Sequence, residues 1–168
     1  KLVEAIRRGG LANQKAPRIQ AILDTILKRL GSLQIDFLRD FPLADAKKWL
    51  NTLPGVGPKT TAVVLAFAFG MPAMPVDTHI FRVSRRLGLI STKISVDKAH
   101  AIMEAQVNPE HIFEYHVLLI KHGRQICKAQ RPSCQQCVLR EICQSRIIFQ
   151  RAFDRPIYRR PIKDRKLL

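Results

Sequence analysis

Apolar residues recur at spacings of three and four along most of the chain, which is the pattern of amphipathic α-helices. The clearest stretch covers residues 16–30, and Gly31 follows it in the position that usually ends a helix. The same spacing predicts further helices over residues 2–8, 43–51, 78–87, 95 to about 107, and 109–122. Since neither an alternating strand pattern nor an internal repeat occurs, the predicted fold class is all-α.

Residues 60–69 are apolar nearly all round, so the pattern predicts a central helix that is buried on every side. The sequence Gly-Met-Pro-Ala-Met-Pro follows at residues 70–75 and ends the helical pattern. We therefore expect two domains, residues 1–71 and residues 72–168. The final segment, residues 144–168, is rich in Arg and Lys, and we expect little regular structure there.

Between two of the predicted helices lies Leu-Pro-Gly-Val-Gly-Pro-Lys, residues 53–59. Gly55 and Gly57 permit positive φ angles and leave backbone N–H groups uncovered by any side chain. A pair of N–H groups at the start of a helix is a ready site for a phosphate oxygen. Pro58 suits the first helical position. The segment is predicted to be a helix–hairpin–helix, although Gly-Val-Gly alone is equally compatible with a turn that has no function.

The balance of charges is strongly basic, with 29 Lys and Arg against 13 Asp and Glu and a formal net charge of +16. This excess predicts a polyanionic partner, and nucleic acid fits best. The longest uncharged run, residues 60–76, contains two prolines and is too short to span a bilayer. We therefore expect a soluble, intracellular protein that acts in the cytoplasm or nucleoid.

All four cysteines fall within one short segment, at Cys127, Cys134, Cys137 and Cys143. Disulfide frameworks usually distribute their cysteines along the chain, so this clustering indicates a metal site in a reducing compartment. Four thiolates can hold either a zinc ion or an iron–sulfur cube. Zinc sites commonly present two short chelating pairs, and only Cys134 and Cys137 form such a pair here.

Several segments of the sequence resemble the endonuclease III family of DNA glycosylases. The spacing of the cysteines is similar to the cluster segment of that family, and residues 53–60 resemble its helix–hairpin–helix. Pro-Val-Asp-Thr-His-Ile-Phe-Arg-Val at 75–83 resembles its catalytic aspartate segment, and His-Gly-Arg at 122–124 is also similar. The resemblance covers about residues 1–146. It implies a partial helical-barrel domain and a cluster domain in which the four cysteines bind a [4Fe–4S] cluster.

The resemblance also implies the roles of two residues, Lys59 as a Schiff-base nucleophile and Asp77 as the carboxylate that assists it, facing each other across a cleft. A helix N-terminus and an apolar surround would both favour the neutral amine that attacks a sugar carbon. A carboxylate would stabilise a sugar that becomes cationic as its base departs. Without the resemblance, the favoured interpretation of Lys59 is a phosphate-binding residue. Asp77 is then interpreted as a helix cap, a role that is compatible with the catalytic one.

The implied function is base-excision repair of double-stranded DNA. A monomeric glycosylase with AP-lyase activity would remove a damaged, oxidised pyrimidine and then cut the strand by β-elimination. The adenine-specific members of the family carry a residue other than lysine at this position, so Lys59 favours the bifunctional branch. Two alternatives remain, a non-catalytic DNA-binding module and a monofunctional mismatch glycosylase.

DNA contacts are expected from the hairpin and from the loop between the first two cysteines, which presents Lys128 and Arg131 to the phosphate backbone. An ordinary solvated loop is the alternative for these two cations. The hairpin contacts would come from Leu53, Gly55, Val56 and Gly57.

The sequence departs from the family in one respect that bears on DNA binding. In the family, a stretch before the equivalent of Lys1 completes the barrel and supplies a polar wedge for the gap left by the flipped base. That stretch is absent from this sequence, so we expect either a partial chain or a wedge supplied by another segment.

Overall fold

A computed structural model describes residues 1–147, and the prediction for the rest of the basic tail lies outside these residues. Every regular element in the described part of the chain is helical, which confirms the all-α prediction. The α-helices are α1 (Leu2–Ala5), α2 (Ala12–Leu30), α3 (Leu43–Asn51), α4 (Pro58–Ala68), α5 (Thr78–Leu87), α6 (Val96–Gln106) and α7 (Ile112–Gln125). Short 3₁₀ turns cover Arg7–Gly9, Asp36–Asp40, Pro109–His111, Cys134–Gln136 and Arg140–Ile142.

Local signals place most of the helix ends correctly. Helices α3 and α5 have the predicted bounds, and the side chain of Ser95 caps α6 by accepting a hydrogen bond from the Lys98 N–H. Helix α2 begins at Ala12, earlier than predicted, and includes Pro17. Pro17 is the sixth residue of the helix, so its missing N–H removes one intrahelical hydrogen bond, the one that would reach the Asn13 carbonyl.

Two hydrophobic cores lie one after the other along the chain. The first core receives Ala62 and Leu65 from α4, and the second core receives Ile80 and Val83 from α5. The division of the chain at residues 71 and 72 stays a prediction. The other buried members of the first core are Ile26, Leu38, Ala46, Leu50, Leu53 and Ala73, and those of the second are Met74, Val76, Ile90, Ala99, Met103, Ile112 and Leu119.

Helix α4 is not buried on every side, so that expectation was wrong. The side chain of Phe67 is 49% exposed and packs at the surface against Phe113 of α7, with their ring centroids 5.0 Å apart. Only one face of α4, with Thr61, Ala62 and Leu65, is buried. Within residues 1–147 no helix combines the length and the apolar character needed to cross a membrane.

Candidate functional site

The hairpin between α3 and α4 is a tight, braced turn. Gly55 adopts a left-handed conformation with φ +74°, and the Val56 N–H donates a hydrogen bond to the Leu53 carbonyl at 3.2 Å. Across the hairpin, the Thr61 hydroxyl donates to Asn51 Oδ1 at 2.7 Å. Because the Leu53 side chain is buried in the first core, any contact that it makes with DNA would come from its backbone.

Gly57 differs from Gly55 in its conformation. Its φ of −113° and ψ of −179° are extended, so the positive φ that both glycines permit is adopted at Gly55 and not at Gly57. A Cβ added to Gly57 would meet no atom within 4 Å. The fold therefore leaves open space in front of this residue, and neither backbone strain nor packing requires a glycine here.

Lys59 is the second residue of α4, directly after Pro58 at the helix N-terminus. The predicted position at a helix start is therefore observed. The predicted apolar surround is not, because the residue is exposed to solvent. The reason is that the apolar residues of α4 begin one turn later, at Ala62, and point into the first core.

Asp77 caps α5, as one of its two sequence-based interpretations predicts. Its Oδ1 accepts hydrogen bonds from the backbone N–H groups of His79 at 2.9 Å and Ile80 at 2.8 Å. Both bonds end on the same oxygen, so within the described part of the chain Oδ2 is left without a hydrogen bond. A cap of this form fixes the carboxylate relative to α5 and still leaves one oxygen for a ligand.

The structure places Lys59 and Asp77 at the starts of two different helices, and each helix packs into a different core. The segment between the two helices, residues 70–76, has no regular structure. The relative position of the amine and the carboxylate therefore depends on how the two cores are joined.

The four cysteines line one cavity together with Arg86 and His122, and none of them forms a disulfide. Burial raises the pKa of the Cys134 thiol, and the neighbouring Cys127, Cys143 and Cys137 raise it further. Burial likewise raises the pKa of the Cys137 thiol. Because all four cysteines line the same cavity, they form a single donor set, as their clustering in the sequence predicts.

This donor set fits an iron–sulfur cluster. Four cysteine thiolates are the usual ligands of a [4Fe–4S] cluster, and all four cysteines line the same cavity. Arg86 Nη1 donates a hydrogen bond to Cys127 Sγ at 3.3 Å, so a cationic side chain lies beside one of the four sulfurs.

Two arginines of α5 that sequence reasoning did not select tie this helix to the cysteine loop. Arg82 donates to the carbonyls of Gly123 at 2.7 Å and Cys127 at 3.0 Å. Arg86 donates to the carbonyls of Lys128 at 2.7 Å and Ala129 at 2.9 Å. The signal available in the sequence was their spacing, since residues four apart share one face of a helix.

Exposed basic residues lie on the cysteine loop and beside the hairpin. Lys128 and Arg131 are exposed on the loop held by Arg86, and Arg131 has a φ of +49°, which is uncommon for a residue other than glycine. Sequence reasoning also did not select Arg18 of α2. This residue lies beside the hairpin, and its Cδ is 3.6 Å from the place that a Cβ would occupy at Gly55. Each adds a positive charge to the surface around the cysteine loop or the hairpin.

Two family profiles match this chain. Residues 1–109 match the HhH-GPD superfamily, described as base excision DNA repair proteins, and residues 127–143 match the iron–sulfur binding domain of endonuclease III. The second match covers all four cysteines. The iron–sulfur cluster that the resemblance of the cysteine segment implies is thereby confirmed.

Curated relatives and solved structures agree with these profiles. The chain is 39% identical to endonuclease III of Bacillus subtilis and 35% identical to that of Sulfolobus acidocaldarius, in alignments covering 85% and 84% of this chain. It spans about three fifths of their length, 61% in both cases. A non-covalent endonuclease III–DNA complex and a trapped covalent endonuclease III–DNA intermediate each match with a TM-score of 0.72 and 36% identity, over 89% of this chain and 66% of theirs.

The cluster leads to a direct chemical prediction. The purified protein should be yellow-brown and contain about four iron and four sulfide per chain. Cys137→Ser should lose the visible absorbance and most of the soluble protein, since a ligand is removed from a loop with little regular structure. Gln135→Ala, an exposed neighbour, should retain both. A colourless protein with stoichiometric zinc would contradict the assignment.

Proposed function

Because the chain belongs to the HhH-GPD superfamily of base excision DNA repair proteins, we propose that it is a DNA glycosylase with AP-lyase activity that acts on damaged bases in intracellular duplex DNA. The observation that carries the proposal is the position of Lys59, at the start of α4 and directly after the glycine hairpin. The endonuclease III whose covalent DNA intermediate was trapped is 36% identical to this chain. An oxidised pyrimidine is the proposed substrate.

The proposed reaction uses the amine of Lys59 as its nucleophile. Nζ attacks C1′ of the damaged nucleotide, the N-glycosidic bond breaks and the base departs with a proton. The sugar ring opens to an imine, loss of a C2′ proton expels the 3′ phosphate, and the strand is cut. In the free protein Lys59 is exposed, so the water around its amine would be displaced by the DNA as it binds.

Asp77 would act through its charge. As the base departs, positive charge develops on the sugar, and a carboxylate that is already oriented lowers the energy of that state without further reorganisation. The two backbone hydrogen bonds to Oδ1 support this role, because they hold the carboxylate in place before the substrate arrives. We place its free Oδ2 facing the sugar, across from Lys59.

The hairpin would hold the DNA backbone. Backbone N–H groups at the start of a helix bind a phosphate oxygen well, and the helix dipole adds to the attraction. The open space in front of Gly57 supports this role, because a side chain at this position would stand between the N–H groups and the phosphate. Lys128 and Arg131 are proposed to bind other phosphates, and the cluster would keep their loop folded.

The proposal is tested with duplex DNA that contains one abasic site. Borohydride reduces an imine between protein and sugar to a stable amine, so a lyase becomes covalently attached to the DNA while a binding module does not. We expect the 168-residue chain to form this adduct and to cleave the strand when borohydride is omitted. Tight binding with no adduct and no cleavage would favour the non-catalytic DNA-binding module.

Gly57→Ala should weaken binding to abasic-site DNA by about tenfold, as expected when one hydrogen bond to a charged phosphate is lost. The thermal unfolding temperature should change little, because the extended backbone of Gly57 suits any residue and the added methyl group meets no protein atom. Fluorescence anisotropy and thermal unfolding measure the two quantities.

Gly9→Ala is the matched control for this experiment. Gly9 also has an ordinary φ, and beyond its own chain neighbours the nearest atom to a Cβ there would be Lys15 Nζ, at 4.0 Å. This variant should keep both the affinity and the unfolding temperature. Unchanged affinity in the Gly57 variant would show that the hairpin N–H groups do not bind the phosphate.

A further inference from the structure

The segment that joins the two cores, residues 70–76, is called the strap here. Residues 73–76 of the strap are buried although they belong to no helix. Buried backbone N–H and C=O groups need hydrogen-bond partners, and a segment without regular structure must find them elsewhere. The strap ends directly before Asp77, so its position also determines where α5 begins.

Three side chains from the second half of the chain bind the strap backbone. The Met74 N–H donates to Glu104 Oε2 at 2.9 Å, and His100 Nδ1 donates to the Met74 carbonyl at 2.9 Å. His116 Nδ1 donates to the Pro75 carbonyl, also at 2.9 Å. Burial lowers the pKa of His100, which favours the neutral ring, and the Met74 carbonyl as an acceptor places the ring proton on Nδ1.

Glu104 does more than bind the strap. Its other oxygen, Oε1, forms an ion pair with Nζ of Lys47, which lies on α3. Both side chains are largely enclosed, with 28% of Lys47 and 20% of Glu104 exposed. Lys47 belongs to the helix that packs on α4, whereas Glu104 belongs to α6 of the second core. One carboxylate therefore connects α3, the strap and α6.

This connection bears on the two proposed catalytic groups. Lys59 moves with α4, which packs on α3, and Asp77 moves with α5, to which its own hydrogen bonds attach it. We propose that Glu104 is a positioning residue that sets the distance between Lys59 and Asp77 by holding α3 and the strap together. This inference rests on the proposed function, because it assumes that the two groups act on one sugar.

The physical argument concerns how much displacement a reaction tolerates. A shift of about 1 Å in a catalytic group can cost about a hundredfold in rate. Removing the Glu104 carboxylate leaves the Met74 N–H without its acceptor and Lys47 without its counter-ion in an enclosed place, so the strap is expected to relax. Neither Glu104 nor Lys47 needs to touch the DNA for this effect.

The test compares the rate of chemistry with the affinity for DNA. For Glu104→Ala we expect the first-order rate of borohydride trapping, at saturating abasic-site DNA, to fall by about tenfold or more. The dissociation constant and the visible absorbance of the cluster should stay close to those of the parent protein. Glu4→Ala is the matched control, since Glu4 forms an exposed ion pair with Arg7 in which each side chain is 69% exposed. It should trap at the parent rate.

Two conservative variants keep the test decisive if Glu104→Ala does not fold. Glu104→Gln retains an acceptor for the Met74 N–H and should recover part of the rate, whereas Lys47→Met removes the counter-ion and should lower it. A Glu104→Gln protein that traps at the full parent rate would overturn the inference. So would a loss of rate accompanied by an equal loss of affinity and cluster, because that pattern belongs to a purely structural residue.

The trapping result for the parent chain distinguishes a failure of this inference from a failure of the proposed function. If the parent forms no adduct, the proposed lyase activity fails and the positioning role falls with it. If the parent forms the adduct through Lys59 and the Glu104 variants trap as fast as the parent, only the positioning role fails. Each of these experiments uses the 168-residue chain with its cluster bound.

Discussion

Lys59→Gln is expected to reduce both covalent trapping and strand cleavage to the level seen without protein. The amide of glutamine cannot form an imine, so no intermediate is available for borohydride to reduce. Affinity for abasic-site DNA should stay nearly intact, because the backbone N–H groups of the hairpin, and not the Lys59 side chain, are proposed to hold the phosphate. Gel analysis of the adduct and fluorescence anisotropy measure the two properties on one preparation.

Lys48→Gln provides the matched control for this experiment. Lys48 is an exposed lysine near the end of α3, on the other side of the hairpin, and its replacement should leave trapping unchanged. Full trapping by the Lys59→Gln protein would assign the chemistry to another amine. Loss of affinity together with loss of trapping would make Lys59 a residue that binds phosphate, which is the alternative that the sequence left open.

Asp77→Asn is expected to slow the reaction by about two to three powers of ten, the range typical of losing one preorganised electrostatic group. Asparagine is as good a helix cap as aspartate, so the Oδ1 bonds to the N–H groups of His79 and Ile80 can be kept. The substitution therefore removes the charge and leaves α5 in place. Single-turnover trapping kinetics and thermal unfolding separate the two effects.

Two further substitutions separate the contribution of the Asp77 helix cap from the contribution of its charge. Asp77→Ser retains a capping oxygen and lacks the carboxylate, so it should be slow and stable. Asp77→Ala lacks both, so it should be slow and in addition lose about 1 kcal/mol of stability with the cap. If Asp77→Asn reacts at the parent rate, the carboxylate is a cap and the proposed electrostatic role is wrong.

Local sequence signals were enough for much of this fold. The bounds of α3 and α5, and the cap of α6 by Ser95, depend on residues within one or two helical turns, so short-range preferences decide them. The same holds for the four cysteines, whose clustering predicted one metal-binding donor set and whose resemblance to a family segment implied an iron–sulfur cluster. Each of these features is determined by residues that lie close to it in the sequence.

The tertiary structure decided what depends on residues distant in sequence. Lys59 is exposed because the apolar face of α4 turns into the first core, and Gly57 is extended because the hairpin places its left-handed turn at Gly55 alone. The ion pair of Lys47 with Glu104 joins residues 57 positions apart. Neither hydrophobic periodicity nor helix propensity predicts such a contact. The packing of the two cores brings the two side chains together, and the free energy of burial selects this arrangement.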